Sequence, residues 1–322
     1  MKTAIVDARE KIRSRIRLTA CRFSAALSDA GGADVFLKLE NTQLSGSFKI
    51  RGVLNKLLSL TPEERSRRLV AASTGNHGAA FAHGVNALGL HGLLFLPTTA
   101  TGVKLEAIEA SGIPHELVGS DCVIAENHAH AFAEANGCTW VSPYNDPEVI
   151  AGQGTIGPEL VEQCRDGLDA VLIPVGGGGL AGGIAAYLKA VAPAVEIIGV
   201  EPEASAVMAE SVAAGRIVEL ANLPTLSDAT AGGIEAGSIT FDLCREHVDR
   251  WERVAESEIA DAVRFVHDND DMVIEGGAAL GVALLLRCPE YLAGKRIAVI
   301  ITGSRIDPEV LAGIVGGESS AA

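Results

Sequence analysis

Short apolar runs alternate with longer helical stretches along this chain, and that alternation restricts the fold more than any other feature of the sequence. Five runs are almost wholly apolar, as strands buried on both faces of a parallel sheet are. They are Arg68–Ser73, Gly92–Leu96, Ala170–Val175, Val195–Val200 and Arg296–Ile301. Helical patterns lie between or beside them, at Phe48–Leu60, Gly78–Leu88, Cys122–Asn136, Leu180–Val191, Glu256–Asp268 and Ala278–Arg287. The sequence therefore predicts an α/β fold with right-handed crossover connections.

The stretch 68–145 contains several βα units of its own. We interpret it as a small α/β domain inserted into a larger domain, which is formed by residues 1–67 and 146–322. Ligands of open α/β sheets bind at the carboxyl ends of the strands, and clefts between domains are common binding sites. We therefore expect a ligand cleft between these two parts of the chain.

The composition excludes several classes of partner. The chain has 322 residues, a hydrophobic fraction of 48% and a formal net charge of -15, which argues against binding to nucleic acid or to an anionic membrane surface. No apolar run approaches the roughly 18 residues of a membrane span, and the N-terminus lacks an apolar signal region. The six cysteines form no Cys-x-x-Cys pair, as is typical of a reducing compartment. We expect a cytoplasmic protein whose partner is a small molecule.

Four consecutive glycines follow a predicted strand, and Leu180 begins the next predicted helix. A loop without side chains lets backbone N–H groups converge on an anion beside the positive end of a helix. A tight turn is the simpler explanation, but one glycine would suffice for it. The segment also fits the Gly-x-Gly-x-x-Gly dinucleotide fingerprint, with Glu201 ending the next strand. It predicts phosphate binding but does not identify the cofactor; the glycines are Gly176, Gly177, Gly178 and Gly179.

The segment Ser47-Phe48-Lys49 follows a strand, and a helix is predicted to begin at Ser47. A lysine in the first turn of a helix lies at the positive end of the helix dipole, which favours the neutral amine. Schiff-base formation with a carbonyl compound requires that neutral amine. A surface lysine on an amphipathic helix is the commoner case, so this segment by itself makes Lys49 only a candidate nucleophile.

A third segment, Ser73-Thr74-Gly75-Asn76-His77, also lies between a predicted strand and a helix. Its hydroxyl, amide and backbone N–H groups at a helix start suit a carboxylate ligand. An ordinary helix cap with turn residues explains the same sequence equally well.

In this order, the Ser-Phe-Lys, Ser-Thr-Gly-Asn-His and Gly-Gly-Gly-Gly-Leu segments closely resemble the serine/threonine dehydratase and serine racemase group of pyridoxal-phosphate (PLP) enzymes. This group belongs to the fold type II, or tryptophan-synthase-β-like, family. The resemblance extends from Arg17 to Gly303 and makes a nicotinamide dinucleotide a poor alternative. It implies two parallel-sheet α/β lobes with the cofactor in the cleft between them, and a homodimer.

The resemblance also implies which residues bind the cofactor. Lys49 is expected to carry PLP and later to take the α-proton of the substrate. Phe48 is expected to pack on the pyridine ring, and Asn76 to hydrogen-bond its phenolic oxygen. The phosphate is expected in the loop Gly176–Leu180. Glu275 is expected near the ring, although an exposed turn would explain this residue as well.

Two positions bear on the reaction. Thr302 matches the residue that meets the pyridine nitrogen; a hydroxyl there cannot stabilise a pyridinium as a carboxylate would, which favours elimination over reactions that need a long-lived carbanion. Thr74 stands where the racemases carry a serine that acts as acid and base, and its methyl group restricts the rotamers of the hydroxyl. Racemisation is therefore the less favoured alternative. The segment expected to hold the substrate carboxylate comprises Ser73, Thr74, Gly75 and His77.

The resemblance thus implies β-elimination from a small 3-hydroxy amino acid such as threonine or serine, giving a 2-oxo acid and ammonia. A serine/aspartate-type racemase and a PLP-binding protein without turnover remain alternatives. The stretch Ala151–Thr155 is similar to the hydroxyectoine-utilisation dehydratases, which adds a hydroxyectoine-derived hydroxy-amino acid to the candidate substrates. Glu201 lies where the racemases bind a divalent metal, but Val207 replaces the second acidic ligand, so no metal is expected there.

Overall fold

Two sheets organise the chain in the computed structural model, which describes residues 1–100, 102–120, 122–221 and 223–317. The strands are β1 (Cys21–Phe23), β2 (Asp34–Leu39), β3 (Leu69–Ala72), β4 (Gly92–Leu96), β5 (His115–Leu117), β6 (Thr139–Trp140), β7 (Ala170–Pro174), β8 (Glu196–Pro202), β9 (Arg250–Val254) and β10 (Arg296–Ile301). The six-stranded sheet has the order β1-β2-β10-β7-β8-β9, and only β1 pairs antiparallel. The four-stranded sheet, β5-β4-β3-β6, is parallel throughout.

Helices connect the strands and cover both faces of the larger sheet. They are α1 (Lys2–Ile12), α2 (Ala25–Gly31), α3 (Lys49–Ser59), α4 (Pro62–Ser66), α5 (Asn76–Leu88), α6 (Gly102–Ala110), α7 (Cys122–Ala135), α8 (Pro147–Gly154), α9 (Ile156–Gln163), α10 (Gly179–Val191), α11 (Val207–Ala214), α12 (Ile239–His247), α13 (Glu256–Asp270), α14 (Gly276–Leu286) and α15 (Pro308–Gly316), with short 3-10 turns at Glu40–Thr42, Glu203–Ser205 and Glu290–Leu292. Along β10, Val299 and Ile301 pack with α13 and α14, whereas Ala298 and Ile300 pack with α9, α10 and α12. This double coverage explains why the strand is apolar at nearly every position.

The predicted α/β class is confirmed, since both sheets are parallel-rich and layered with helices. The five predicted strands are present, and the predicted helices differ from the observed ones by a few residues at their ends. The helix expected to begin at Ser47 begins instead at Lys49, because Ser47 forms a β-bridge with Gly303. All strands of the four-stranded sheet lie inside the stretch 68–145. The domain boundaries themselves stay a prediction.

A buried cluster of charges joins four elements beneath α3. The Arg51 guanidinium donates to both oxygens of Glu40, at 2.7 and 2.8 Å, and to both oxygens of Glu159, at 2.6 and 2.8 Å. Lys38 donates to Glu159 at 2.5 Å and to the Thr19 carbonyl at 2.7 Å. Burial alone would raise the pKa of Glu40, but Arg51 beside it holds that pKa below its usual value. The two positive and two negative charges of this buried cluster therefore compensate each other.

Helix α3 is also fixed by direct backbone packing on α8. A Cβ atom at Gly152 would lie 2.6 Å from the Gly52 Cα, so neither helix tolerates a side chain there. The Gln153 side-chain oxygen accepts a hydrogen bond from the Gly52 N–H at 3.1 Å. The Ala151–Thr155 stretch therefore serves to pack α8 on α3.

We expect Arg51→Leu to lower the free energy of unfolding by about 3–5 kcal/mol, because it leaves the buried Glu40 carboxylate without the cation that binds it and leaves Glu159 with Lys38 alone. Urea denaturation of the purified protein measures this loss. Arg9→Leu is the matched control: it breaks a pair with Glu162 whose side chains are 30% and 56% exposed, and should cost about 0–1 kcal/mol. Equal losses in the two variants would contradict a structural role for the buried cluster.

Candidate active site

Two adjoining cavities lie at the carboxyl ends of the strands of both sheets. The larger, of about 360 Å³, is lined by the β3–α5 connection, by Lys49 and by α7. The smaller, of about 50 Å³, is lined by Phe48, the Gly176–Leu180 loop and Thr302. Lys49, Asn76 and Glu275 line both. Every residue that the sequence singled out for the cofactor or the substrate thus lines one of two neighbouring cavities; the roles assigned to these residues stay a prediction.

The Lys49 amine is held at the start of α3 in surroundings that disfavour its charge. Its Nζ donates to the Pro143 carbonyl at 2.9 Å and lies 5.3 Å from the centroid of the Phe48 ring. Burial lowers the pKa of Lys49 to about 8, against the opposing effect of the Glu126 and Glu275 carboxylates. A considerable fraction of this amine is therefore neutral near neutral pH, as a nucleophile requires.

The four-glycine loop forms a cradle that only glycine can build. A Cβ atom would lie 2.7 Å from the Thr230 carbonyl oxygen at Gly176, and 2.4 Å from the Tyr144 ring at Gly177. Gly178 has a φ of 82° and caps α10. The first backbone N–H groups of a helix have no acceptor within the helix, so those of α10 are available to an anion in the smaller cavity. This arrangement fits the phosphate of PLP.

The segment Ser73–His77 leads into the first turn of α5. The Ser73 hydroxyl accepts from the Gly75 N–H at 3.1 Å, and a Cβ atom at Gly78 would lie 2.1 Å from the Ser73 carbonyl oxygen. His77 donates from Nε2 to the Val141 carbonyl at 3.0 Å, and burial lowers its pKa to about 3. His77 is therefore neutral and anchors the turn, while the helix start presents N–H groups to the larger cavity.

Asn76, Glu275 and the end of β10 form the wall shared by the two cavities. The Asn76 amide donates to Glu275 at 2.6 Å, and its Oδ1 is buried with no hydrogen-bond partner among the described residues. The Thr302 carbonyl accepts from the Phe48 N–H at 3.1 Å, which ties the residue after β10 to the residue before Lys49. The Thr302 side chain is buried and uncharged at this wall. The polar atoms and the glycine cradle together suit a small phosphorylated aromatic ring.

The sequence interpretation did not identify three further cavity residues, Tyr144, Glu126 and Arg305, as functional candidates. Tyr144, whose ring lies over Gly177, is held by its hydroxyl, which accepts from the Glu235 N–H at 2.9 Å. Glu126 lies on α7, where burial, followed by the nearby Glu235 carboxylate, raises the pKa of Glu126 to about 7. Arg305 lines the larger cavity and donates to the Ser45 carbonyl at 3.3 Å. None carries a local sequence signal, except that Arg305 departs from the commoner ending of the Thr302 motif.

Glu201 stabilises the start of a helix, and its carboxylate is therefore not free to bind a ligand. Its two carboxylate oxygens accept the Met208 and Ala209 N–H groups, at 3.0 and 2.7 Å, and so cap α11. An acid engaged in this way is not available to the ribose of a dinucleotide. Among the described residues, no group of three or more metal-ligating side chains is brought together. No described helix is both long enough and apolar enough to cross a membrane.

The comparisons with known proteins agree with this geometry. A family model for pyridoxal-phosphate dependent enzymes matches residues 12–303. The L-threonine ammonia-lyase of Thermotoga maritima is 38% identical over 311 residues, which cover 97% of this chain and 77% of that protein. The processed form of threonine deaminase isoform 2 from Solanum lycopersicum superposes with a TM-score of 0.92 at 33% identity, over 98% of this chain and 87% of that one. Maize serine racemase gives a TM-score of 0.90 at 28% identity, over 96% and 95%.

We expect Gly176→Ala to weaken PLP binding by at least tenfold, because the added Cβ would meet the Thr230 backbone 2.7 Å away and must displace the loop from the phosphate. Absorbance titration of the apoprotein with PLP measures the affinity. Gly313→Ala, in α15 with open space around the new Cβ, is the matched control and should bind PLP normally. Unchanged affinity in Gly176→Ala would show that the phosphate binds elsewhere.

Proposed function

Because this chain belongs to the family of pyridoxal-phosphate dependent enzymes, we propose that it removes water from a small 3-hydroxy amino acid and releases a 2-oxo acid and ammonia. One observation carries the proposal: the Lys49 amine, whose pKa is lowered, lines the same small cavity as the glycine loop and the uncharged Thr302 side chain. Identity to a threonine ammonia-lyase over nearly the whole chain supports the same reaction.

Pyridoxal 5′-phosphate is the cofactor, and the residues present fit it. Lys49 would hold it covalently, the Gly176–Leu180 loop would bind its phosphate, and Asn76 and Thr302 would meet its ring. When bound, PLP supplies an electron sink that acidifies the α-proton of an attached amino acid. Thr302 offers a neutral hydroxyl to that ring, so it adds no positive charge there. The proposal therefore favours prompt loss of the β-hydroxyl over a long-lived carbanion.

The chain's own residues would orient the substrate. Its carboxylate would lie on Ser73–His77, where α5 starts and its N–H groups point into the larger cavity. The Lys49 amine, neutral in a considerable fraction near pH 8, would accept the α-proton at Nζ. Thr74 lines the same cavity, and a hydroxyl there is what a racemase would use on the opposite face. A racemase is the second candidate function, supported by the maize serine racemase comparison.

The experiment that tests this function is an ammonia-release screen over hydroxy-amino acids, run beside a visible spectrum. We expect a 2-oxo acid from the active substrates and a yellow protein. Lys49→Ala should lose both the activity and the colour, because no amine remains to hold the cofactor. Lys56→Ala on the same helix, which forms a pair with Asp146, is the matched control and should keep both. Interconversion of enantiomers faster than ammonia release would instead favour the racemase.

For the substrate we propose a 3-hydroxy amino acid with a second, cationic nitrogen, as a hydroxyectoine-derived hydroxy-amino acid has. Glu126 lines the same cavity as Lys49, and the Glu235 carboxylate is close enough to Glu126 to raise its pKa. The Glu126 Oε1 is buried and has no hydrogen-bond partner within the described part of the chain. An ammonium group beside this pair would relieve the repulsion between two ionised carboxyl groups. Arg305 lines the same cavity, and its positive charge would instead favour a substrate that carries a second carboxylate.

We expect Glu126→Gln to lower the preference for 3-hydroxy-2,4-diaminobutyrate over threonine by about tenfold or more, since a charged hydrogen bond is lost. In the native enzyme this preference should rise as the pH increases through about 7, because Glu126 then ionises. Ratios of kcat/KM between pH 6 and 8 measure it. Glu134→Gln, exposed on the same helix, is the control. Preference for L-threo-3-hydroxyaspartate would contradict this substrate and point to Arg305.

A homodimer in the cytoplasm belongs to the same proposal. The family resemblance supports the homodimer. The cytoplasmic location is supported by the cysteines at 21, 138, 164, 244 and 288, which are free thiols in the described structure. Size-exclusion chromatography with light scattering measures the oligomeric state.

A further inference from the structure

Two cysteines that lie far apart in the sequence meet at the edge of the six-stranded sheet. Cys21 begins the edge strand β1, and Cys164 is the C-cap residue that follows α9. Their sulfur atoms are 3.5 Å apart, in van der Waals contact, although 143 residues separate them along the chain. Both are free thiols. The reaction proposed above uses neither of them.

We propose that Cys21 and Cys164 are a site of reversible oxidation, at which a hydroperoxide converts the two thiols into a disulfide that joins β1 to the end of α9. The sulfur contact is the observation that carries this inference. The pair needs only a small approach of the two sulfur atoms, from contact to a bond of about 2.05 Å. Cys164 is buried and Cys21 is partly exposed on an edge strand, so the proposal requires a small oxidant to reach Cys164 from the side of Cys21.

The charges around the pair select the sulfur that reacts first. A hydrogen bond from the Cys21 thiol lowers the pKa of Cys164, against the effect of burial, and the Arg296 and Lys38 cations lower it further. The thiolate is the nucleophilic form of cysteine, so Cys164 is the attacking sulfur. Cys21 is the resolving thiol, since the same contact and its burial raise its pKa.

The chemistry balances with one hydroperoxide. The Cys164 thiolate attacks one peroxide oxygen and breaks the O–O bond, giving a sulfenic acid and a hydroxide that takes up the proton released by Cys164. The Cys21 sulfur then attacks the sulfenic sulfur and expels the second oxygen, which leaves as water with the Cys21 proton. The two sulfurs together lose two electrons, and the peroxide is reduced to two water molecules when it is hydrogen peroxide.

The disulfide would act on the part of the structure that supports the catalytic helix. Lys38 is the β2 partner of Cys21, and it donates to Glu159 and Gln163 on α9, the helix that Cys164 ends. Glu159 in turn holds Arg51, two residues after Lys49. A covalent link between β1 and α9 therefore clamps the elements that carry the buried charge cluster.

The test uses the full-length holoenzyme treated with a slight molar excess of hydrogen peroxide. Peptide mass spectrometry without reduction should find the Cys21 peptide linked to the Cys164 peptide, and dithiothreitol should separate them. The melting temperature should rise on oxidation by on the order of 5 °C, because the link closes a long loop. Dithiothreitol should reverse that rise.

Cys21→Ser and Cys164→Ser should each abolish the linked peptide and the rise, whereas Cys288→Ser, at an exposed cysteine, should keep both. Iodoacetamide labelling tests the native protein without any substitution. After peroxide treatment, Cys21 and Cys164 should both resist alkylation. Two thiols that stay alkylatable after peroxide, or that oxidise to sulfinic acids without a link, would overturn the proposal. Ammonia release is measured separately, before and after treatment, so the proposed dehydratase reaction and the proposed thiol site can each be rejected without the other.

Discussion

The buried contact between Arg51 and two carboxylates, Glu40 and Glu159, is the interaction on which the rest of the site depends. It ties the end of β2 and the start of α3 to the body of α9, and Glu159 of α9 is 108 residues after Arg51 in the sequence. A buried charge without its partner is costly, so these elements are stable only in the register that completes all the pairs. Because Arg51 is two residues after Lys49, that register also determines where the Lys49 amine lies.

A second constraint fixes the position of Lys49 relative to the four-glycine loop, Gly176–Gly179. Helix α8 lies between α3 and α10 and packs on both through glycines. A Cβ atom at Gly152 would meet the backbone of α3, and one at Gly183 would lie 2.5 Å from the Ile150 carbonyl oxygen of α8. Contacts between backbones leave no side chain that could adjust. The three helices therefore behave as one rigid block that carries the lysine at one end and the glycine loop at another.

Much of the fold could be predicted because its central strands are apolar on both faces. The edge strands β1, β5, β6 and β9 were not predicted, since they are short and partly exposed. Apart from Glu275, which precedes α14, the site residues that sequence reasoning found belong to strand–helix turns with a recognisable composition. Glu126 lies within α7, whereas Tyr144 and Arg305 lie in the β6–α8 and β10–α15 connections. The residues around these three positions have no composition that indicates a cavity. The same holds for Cys21 and Cys164, which the sequence shows only as two widely spaced thiols.

The sequence by itself determined the local chemistry: a lysine at a helix start, a glycine loop before the next helix, a polar turn, and a hydroxyl at the end of a strand. These features depend on residues within a few positions of one another. The tertiary structure decided which groups face each other: Lys49 with Pro143 and Phe48, Glu126 with Glu235, and Cys21 with Cys164. The pKa values that make the amine and the acid useful were also decided there, because burial and charge depend on side chains brought together only by folding.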